Sequence, residues 1–258
     1  MAQIKRIKNC VSSQGKEDDW TIKDIKLSFA KKKIPQSVDL RADWWGIGNQ
    51  GSTGSCVGWA TADSVLRYHF TKANKLKKGN HLSVRFTWMA SKEMDEYSDF
   101  PSTFIEDSGT SLKAALKISK KFGALTAKHL PFDGDMIQLK EKNFLKVASK
   151  YKISKYVTLT KDKDTKLELF KEWLAFQGPI LTCLDCDKNW NNPGKKGLLT
   201  TYDKKSINGG HCMSIVGYTP THFIIRNSWG KDWGDKGFAY ASYDYAQHAF
   251  KEAYGVII

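Results

Sequence analysis

The chain has 258 residues, 41% hydrophobic and 12% aromatic, a balance that excludes a disordered chain and suits one large domain or two lobes sharing a core. No run of eighteen apolar residues occurs, which excludes a membrane-spanning helix. The formal charge of +14 comes from lysines and arginines scattered along the chain, which reads as a solvated surface with a bias toward acidic partners and not as a nucleic-acid interface.

The first residues, Met1 to Cys10, are charged with no apolar stretch behind them, so no secretory signal is visible. The expected location is therefore cytoplasmic, or exported without such a signal. The five cysteines are odd in number and few for this length, against a disulfide framework and for at least one free thiol.

Residues 1–34 are polar and lysine-rich, with a short amphipathic piece expected from Trp20 to Leu27 and on to Phe29. Ile34 to Arg41 reads as extended, because Pro35 restrains its neighbour, and the main domain is placed from residue 35 onward. A loop of small and polar residues, Gly48 to Ser55, then runs into an apolar segment in which Val57, Ala60, Val65, Leu66 and Phe70 recur at helical spacing. Ser55 or a neighbour is the natural N-cap, so Cys56 falls at a helix start, where unpaired N–H groups favour a thiolate. Gln50 lies six residues upstream and carries an amide able to hold a negative oxygen.

A short helix is expected over 82–89 and a polar loop over 98–109. A longer helix follows from Ser111 to Phe122, capped by Thr110 or Ser111 and stopped by Gly123, and another over 164–177 with Leu167, Phe170, Trp173 and Leu174 on one side. Beyond Gly178-Pro179 short strands are expected at 180–184, 212–218, 222–226, 237–240 and 254–257. Helices first and strands later make an α+β chain, with the two kinds of structure in separate lobes (about 50–145 and 146–258) and a cleft between them.

Two further pieces carry chemistry. Asn208-Gly209-Gly210-His211-Cys212 delivers a histidine at a strand start, and Arg226-Asn227-Ser228-Trp229-Gly230 follows sixteen residues later. An imidazole beside Cys56 would take its proton, and the Asn227 oxygen accepting from the far ring N–H would fix the tautomer. Cys183-Leu184-Asp185-Cys186 has the spacing of half a zinc site, but no second pair exists and residues three apart on a strand face opposite sides, so ordinary packing is expected. Cys10 reads as a thiol on a disordered tail, with a mixed disulfide to Cys56 as the alternative.

Taken together, Gln50-Gly51-x-x-Gly54-Ser55-Cys56, Gly210-His211, and Asn227-Ser228-Trp229-Gly230-x-x-Trp233-Gly234-x-x-Gly237 resemble the papain family of cysteine proteases, and the wording around 47–63 resembles bacterial members. The resemblance runs from about Ile34 to the end. The separation of 155 residues between Cys56 and His211 slightly exceeds the roughly 130–150 usual for the family, which points to an insertion between the lobes.

The resemblance implies a papain-like two-lobe fold, a helical lobe against a β-barrel-like lobe, and a cysteine endopeptidase working through a thioester. Cys56 is the expected nucleophile, His211 the base and acid, and Asn227 its orienter. Gln50 and the Cys56 N–H form the oxyanion hole and Trp229 supports the His–Asn contact. Gly210, Trp233 and Gly109 are expected at the substrate. It implies no metal or organic cofactor, a protein or peptide substrate, no nucleic-acid partner and a monomer.

Residues 1–34 are an N-terminal extension in the place of an inhibitory pro-segment, with Trp20 to Phe29 expected in or over the cleft. The sequence departs from plant and animal members at Thr53, where they carry a disulfide cysteine, and at Val57, where they carry tryptophan. The rival readings are a specialised single-target enzyme (toxin, processing protease, amidase or transpeptidase) and a silent binding module of the same fold.

Overall fold

The apolar spacing that begins at Cys56 forms one helical run: α1 (Cys56–Gly58), a π-helical stretch (Trp59–Leu66) and α2 (Arg67–Lys72). Val57, Ala60, Val65, Leu66 and Phe70 are all buried along it, and each large aliphatic side chain so buried contributes about 1.5–3 kcal/mol. The structure, a computed structural model, describes residues 6–29, 32–95, 107–134 and 141–258. The polar loop expected over 98–109 falls outside the described residues as far as 106.

α3 (Val84–Met94) starts later and runs further than its apolar pattern alone indicated, because Ser83 caps it by accepting from the Phe86 N–H at 3.0 Å. α4 (Leu112–Lys121) is capped by Ser111, which accepts from the Ala114 N–H at 3.2 Å. Gly123, at φ 93°, follows it and ends it at no steric cost. α5 (Glu141–Ala148) is a helix the sequence reading did not anticipate. α6 (Lys166–Phe176) buries Phe170, Trp173 and Leu174, with Leu167 packed at the edge.

The strands form one eight-stranded sheet, to which the second half of the chain gives all but β1. Its strands are β1 (Val38–Asp39), β2 (Lys155–Thr158), β3 (Ile180–Asp185), β4 (Leu198–Leu199), β5 (Gly210–Tyr218), β6 (His222–Arg226), β7 (Phe238–Ser242) and β8 (Phe250–Ile257). They lie in the order β2-β8-β3-β5-β6-β7-β4, with β1 added on β5, and every pairing is antiparallel except β4 with β7.

β2 and β4 were not anticipated: each is short and only partly apolar. Nor was α7 (Tyr243–Ala249), whose polar interior hides it and whose start is set by Ser242 accepting from the Tyr245 N–H. One apolar cluster lies between the sheet, α6 and α7. Another joins the Cys56 helical run and α4 to β3, β5 and β8. Cys183 belongs to the second and Cys186 to the first, so the two face different parts of the core.

The amphipathic piece expected at Trp20–Leu27 is a set of turns, with Lys26 at φ 56° and the Leu27 N–H bonded to the Ile22 carbonyl. It does not lie over the cleft. Phe29 packs on Trp173 and Phe176 of α6, at 6.5 and 5.5 Å between ring centres, while Ile22, Ile25 and Leu27 pack on the same cluster. The expectation for Trp20–Phe29 is thus corrected: burying these side chains against α6 holds the stretch away from the cleft.

The two halves are joined by a buried charge cluster. Asp63, on the Cys56 helical run, accepts from Arg226 at 2.7 Å, from Arg67 at 3.1 Å and pairs with His81 at 3.0 Å. Arg226 also donates to the Gly46 carbonyl, and Arg67 to those of Trp44 and Lys78. Burial alone would raise the Asp63 carboxyl, but Arg226, His81 and Arg67 hold it well below the usual carboxylate range.

A depressed carboxyl gives stability that is complete above its unfolded value of about 3.9 and is lost as pH falls below it. Asp63→Ala is expected to cost about 3–5 kcal/mol in urea unfolding at pH 7, since it strands two buried guanidinium groups. It should also flatten the loss of stability between about pH 4 and 2 relative to wild type; an unchanged acid limb would mean that Asp63 does not carry it.

Candidate active site

The loop before the Cys56 helix is held by backbone pairing to the segment after β6. The Gln50 N–H donates to the Ser228 carbonyl at 2.8 Å and the Gly230 N–H to the Gly48 carbonyl at 3.0 Å. The Gln50 amide is oriented without ambiguity. Its Oε1 accepts from the Ser228 hydroxyl at 2.9 Å and the Trp229 indole N–H at 3.1 Å, so Nε2 is the end that faces away from them. Ser55 stands at the N-cap position, but its hydroxyl is taken by Thr53 at 2.6 Å and caps no helix N–H.

Cys56 is the first residue of α1 and fully buried. Burial pushes its thiol up to about 12, against the lowering effect of the Cys212 and Val57 N–H groups. The helix start alone therefore does not make a thiolate in this state.

His211 lies inside β5, one residue past its start, and opposite Leu184 of β3. Its Nε2 is 2.7 Å from Asn227 Oδ1, which also accepts from the Ser228 N–H at 2.8 Å. An atom that accepts a backbone N–H is the amide oxygen, so Nε2 carries the proton and Nδ1 is the basic nitrogen. Nδ1 has no hydrogen-bond partner among the described residues.

Trp229 stacks on the imidazole at 4.5 Å between centres, and Trp190 meets it edge-on at 5.7 Å. Trp233 stacks behind on Trp190 at 5.2 Å and donates to the Trp190 carbonyl. Burial lowers the imidazole to about 4; the bond to Asn227 opposes this and the nearby Lys8 and Arg6 add to it. Both shifts favour the neutral thiol and the neutral imidazole while the site is covered.

The reason is that the chain covers its own cleft. The Ile7 carbonyl accepts from Gln50 Nε2 at 3.2 Å. Arg6 donates to Asn49 and to the Trp229 carbonyl, and Lys8 to Asn191 and Asn208. The Cys10 N–H donates to the Gly210 carbonyl at 2.9 Å and the Val11 N–H to that of Thr110 at 3.2 Å. A side chain at Gly109 would strike the Asn9 carbonyl, and one at Gly210 the Cys10 carbonyl, so both glycines admit backbone at close range. Cys10 is correspondingly not on a disordered tail: it is half-buried against Cys183 and Cys212, and all five cysteines are free.

The sequence signature described as papain family cysteine protease matches residues 34–254. The chain belongs to the papain family of cysteine proteases. It is a cysteine-type peptidase acting on protein substrates, and no helix among the described residues is long and apolar enough to cross a membrane.

Relatives of this peptidase include an uncharacterised peptidase C1-like protein of Acanthamoeba polyphaga mimivirus, 28% identical over 250 residues, which cover 88% of this chain and 76% of that one. Cathepsin F of Drosophila melanogaster is 24% identical over 209 residues, 74% of this chain but 30% of that protein. Among solved structures, xylellain, a cysteine protease from Xylella fastidiosa, superposes with a TM-score of 0.80 at 20% identity, over 100% of this chain and 98% of that one. These bear out the α+β papain-like fold. The sequence relatives are viral and eukaryotic, and the bacterial likeness comes from the Xylella structure.

The peptidase thus gathers Gln50, His211, Asn227, Trp229, Gly109 and Gly210 beneath or beside the N-terminal segment, with Cys56 against the N–H of Cys212, the neighbour of His211, and Trp233 behind Trp190 and Trp229. Trp190 and residues 6–13 were not foreseen there: each is placed by contacts distant in sequence, with no local pattern to mark it, while Ser228 stood in the pattern around Asn227 without a role assigned to it. The buried imidazole supplies a test. In nuclear magnetic resonance of the full chain, His211 should be neutral and Nε2-protonated at pH 7, and charge only as pH falls toward about 4. Because its value is depressed, the covered state should lose stability as pH drops from about 6.5 toward that value. An imidazolium signal at pH 7 would contradict the covered state.

Proposed function

We propose that the chain is a cysteine endopeptidase whose cleft is held shut by its own N-terminal segment, with residues 35–258 as the peptidase domain and residues 1–34 as the inhibitory extension. The observation that carries this reading is the Ile7 carbonyl on Gln50 Nε2, beside a His211 whose tautomer is fixed by Asn227. A peptide carbonyl already lies on the amide donor that the resemblance assigns to the oxyanion hole.

Once the segment leaves, water reaches the cleft and the charged forms are no longer penalised by burial. Cys56 then gives its proton to His211 Nδ1, and the sulfur attacks the substrate carbonyl carbon. Gln50 Nε2 and the Cys56 backbone N–H hold the oxygen as it becomes negative. His211 returns the proton to the leaving amine and the thioester remains on Cys56. Water, losing a proton to His211, then displaces the sulfur and releases the acid. Asn227 keeps the ring oriented throughout, and Trp229 keeps water from their hydrogen bond. Similarity to a Xylella protein supports placing this enzyme among bacterial-type members.

A full-length chain treated with a slight excess of an epoxysuccinyl thiol probe should gain one adduct slowly, and residues 35–258 should gain it fast. Cys56→Ala should gain none in either form, read by intact mass. Equal rates for the two lengths would remove the inhibitory role, and no adduct on either would remove the catalytic one. Gln50→Ala should lower kcat by about 10²–10³.

A further inference from the structure

The covering segment and the sheet beneath it meet through sulfur. Cys10, on the segment, packs on the apolar cluster that joins the Cys56 helical run to the sheet. Its thiol is a hydrogen-bonding neighbour of those of Cys183 on β3 and Cys212 on β5. Those two sit directly opposite each other in the β3–β5 register, so their side chains share one face of the sheet. All three thiols are free.

Contact between small buried thiols is often plain packing. Here the backbone on both sides of Cys10 holds the contact in place. The Cys10 N–H is bonded to the Gly210 carbonyl and the Val11 N–H to that of Thr110. The Asn9 side-chain amide donates to the Asp107 carbonyl. Further along, Oε1 of Glu252 on β8 accepts from the Ser12 hydroxyl at 3.1 Å, the Ser13 N–H at 2.9 Å and the Lys16 ammonium at 3.2 Å. Every one of these bonds can be exchanged for one to water. A sulfur–sulfur bond at Cys10 could not.

Exposure sets the order of events. Cys10 is half-buried, whereas Cys56, Cys183, Cys186 and Cys212 are buried. Cys10 is therefore the thiol that a dissolved oxidant meets first.

We propose that Cys10, Cys183 and Cys212 form an oxidation site. A low-molecular-weight disulfide there converts the contact into a disulfide bond from Cys10 to one of the two sheet cysteines, and the segment is locked over the cleft. The inference rests on the preceding reading that the segment shuts the cleft. Cys10 loses its proton to water and its thiolate attacks one sulfur of the oxidant. The oxidant's S–S bond breaks, and one thiolate leaves and is protonated by water. Cys183 or Cys212 then gives up its proton and attacks the Cys10 sulfur, displacing the second thiol. Two protein thiols are oxidised to a disulfide, and the oxidant is reduced to two thiols.

The contact with Cys183 lowers the Cys10 thiol, but Cys212 and burial hold it well above its ordinary value. Little thiolate is present, so exchange is slow and the site answers sustained oxidation. Once formed, the bond removes every conformation in which Cys10 has left the sheet.

The test uses the full chain, with oxidised glutathione as the oxidant. Remaining thiols are blocked, the protein is digested without reduction, and cross-linked peptides are read by mass spectrometry. On a parallel unblocked sample, labelling of Cys56 by the epoxysuccinyl probe is timed. Oxidised wild type should show Cys10 joined to Cys183 or to Cys212, and should be labelled at least about 10-fold more slowly than the reduced chain. Dithiothreitol should restore the reduced rate. Cys10→Ser should keep its own reduced rate after the same oxidation, whatever that rate is. With Cys183→Ala and Cys212→Ala together, glutathione should stay on Cys10, because no thiol is left to displace it.

A bond from Cys183 to Cys212, glutathione on Cys56, or glutathione retained on wild-type Cys10 would overturn the inference. So would a cross-link at Cys10 that leaves slow labelling no slower. Those results leave the preceding reading standing. A reduced full chain labelled as fast as residues 35–258, or never labelled in either form, would remove that reading and this inference with it.

Discussion

The placement of the site depends on one buried carboxylate. Asp63 is carried by the helix that begins at Cys56, and its partner Arg226 is the residue before Asn227. A single hydrogen-bonded charge cluster thus fixes the helix bearing the thiol against the strand end bearing the amide. Such a cluster is no net gain over well-packed apolar groups. Its value here is geometric: any slide of one lobe past the other would part a guanidinium from its carboxylate in a dry interior. The pairing of 48–50 with 228–230 adds a second set of bonds in the same sense.

On this frame each polar atom at the site has its direction set by a neighbour with a different job. Gln50 presents Nε2 because Ser228 and Trp229 occupy its oxygen. Asn227 presents its oxygen to His211 because the Ser228 N–H holds it there. The same residue therefore serves both sides of the cleft. What the frame does not set is charge: with the segment in place, burial opposes the helix start and favours the neutral thiol and imidazole.

Most of the frame was legible in the sequence because it rests on local signals. Helical spacing after Cys56, the serine before α4 and the glycine after it are features of a few neighbouring residues. The site residues were legible for the same reason: each stands in a short pattern of glycines and aromatics. The rest depended on partners far along the chain. Trp190 is one indole in a polar turn until it is seen beside His211. Glu252 is an ordinary charge on a strand until Ser12, Ser13 and Lys16 are laid over it. The misplaced stretch, Trp20 to Phe29, is instructive: its apolar residues were recognised, but their partners are Trp173 and Phe176 of α6, far along the chain.

The covering segment is part of the same covalent chain as the cleft that it fills. Joined by the residues up to β1, it meets the cleft at an effective concentration on the order of millimolar, whatever the concentration of the protein. Contacts that would be too weak for a free peptide of the same sequence suffice under that tether. A single backbone cut in the connecting stretch would abolish the advantage without altering one contact in the cleft. Dilution would then do the rest, and the change from shut to open would be set by the integrity of the connection and not by the affinity of its tip.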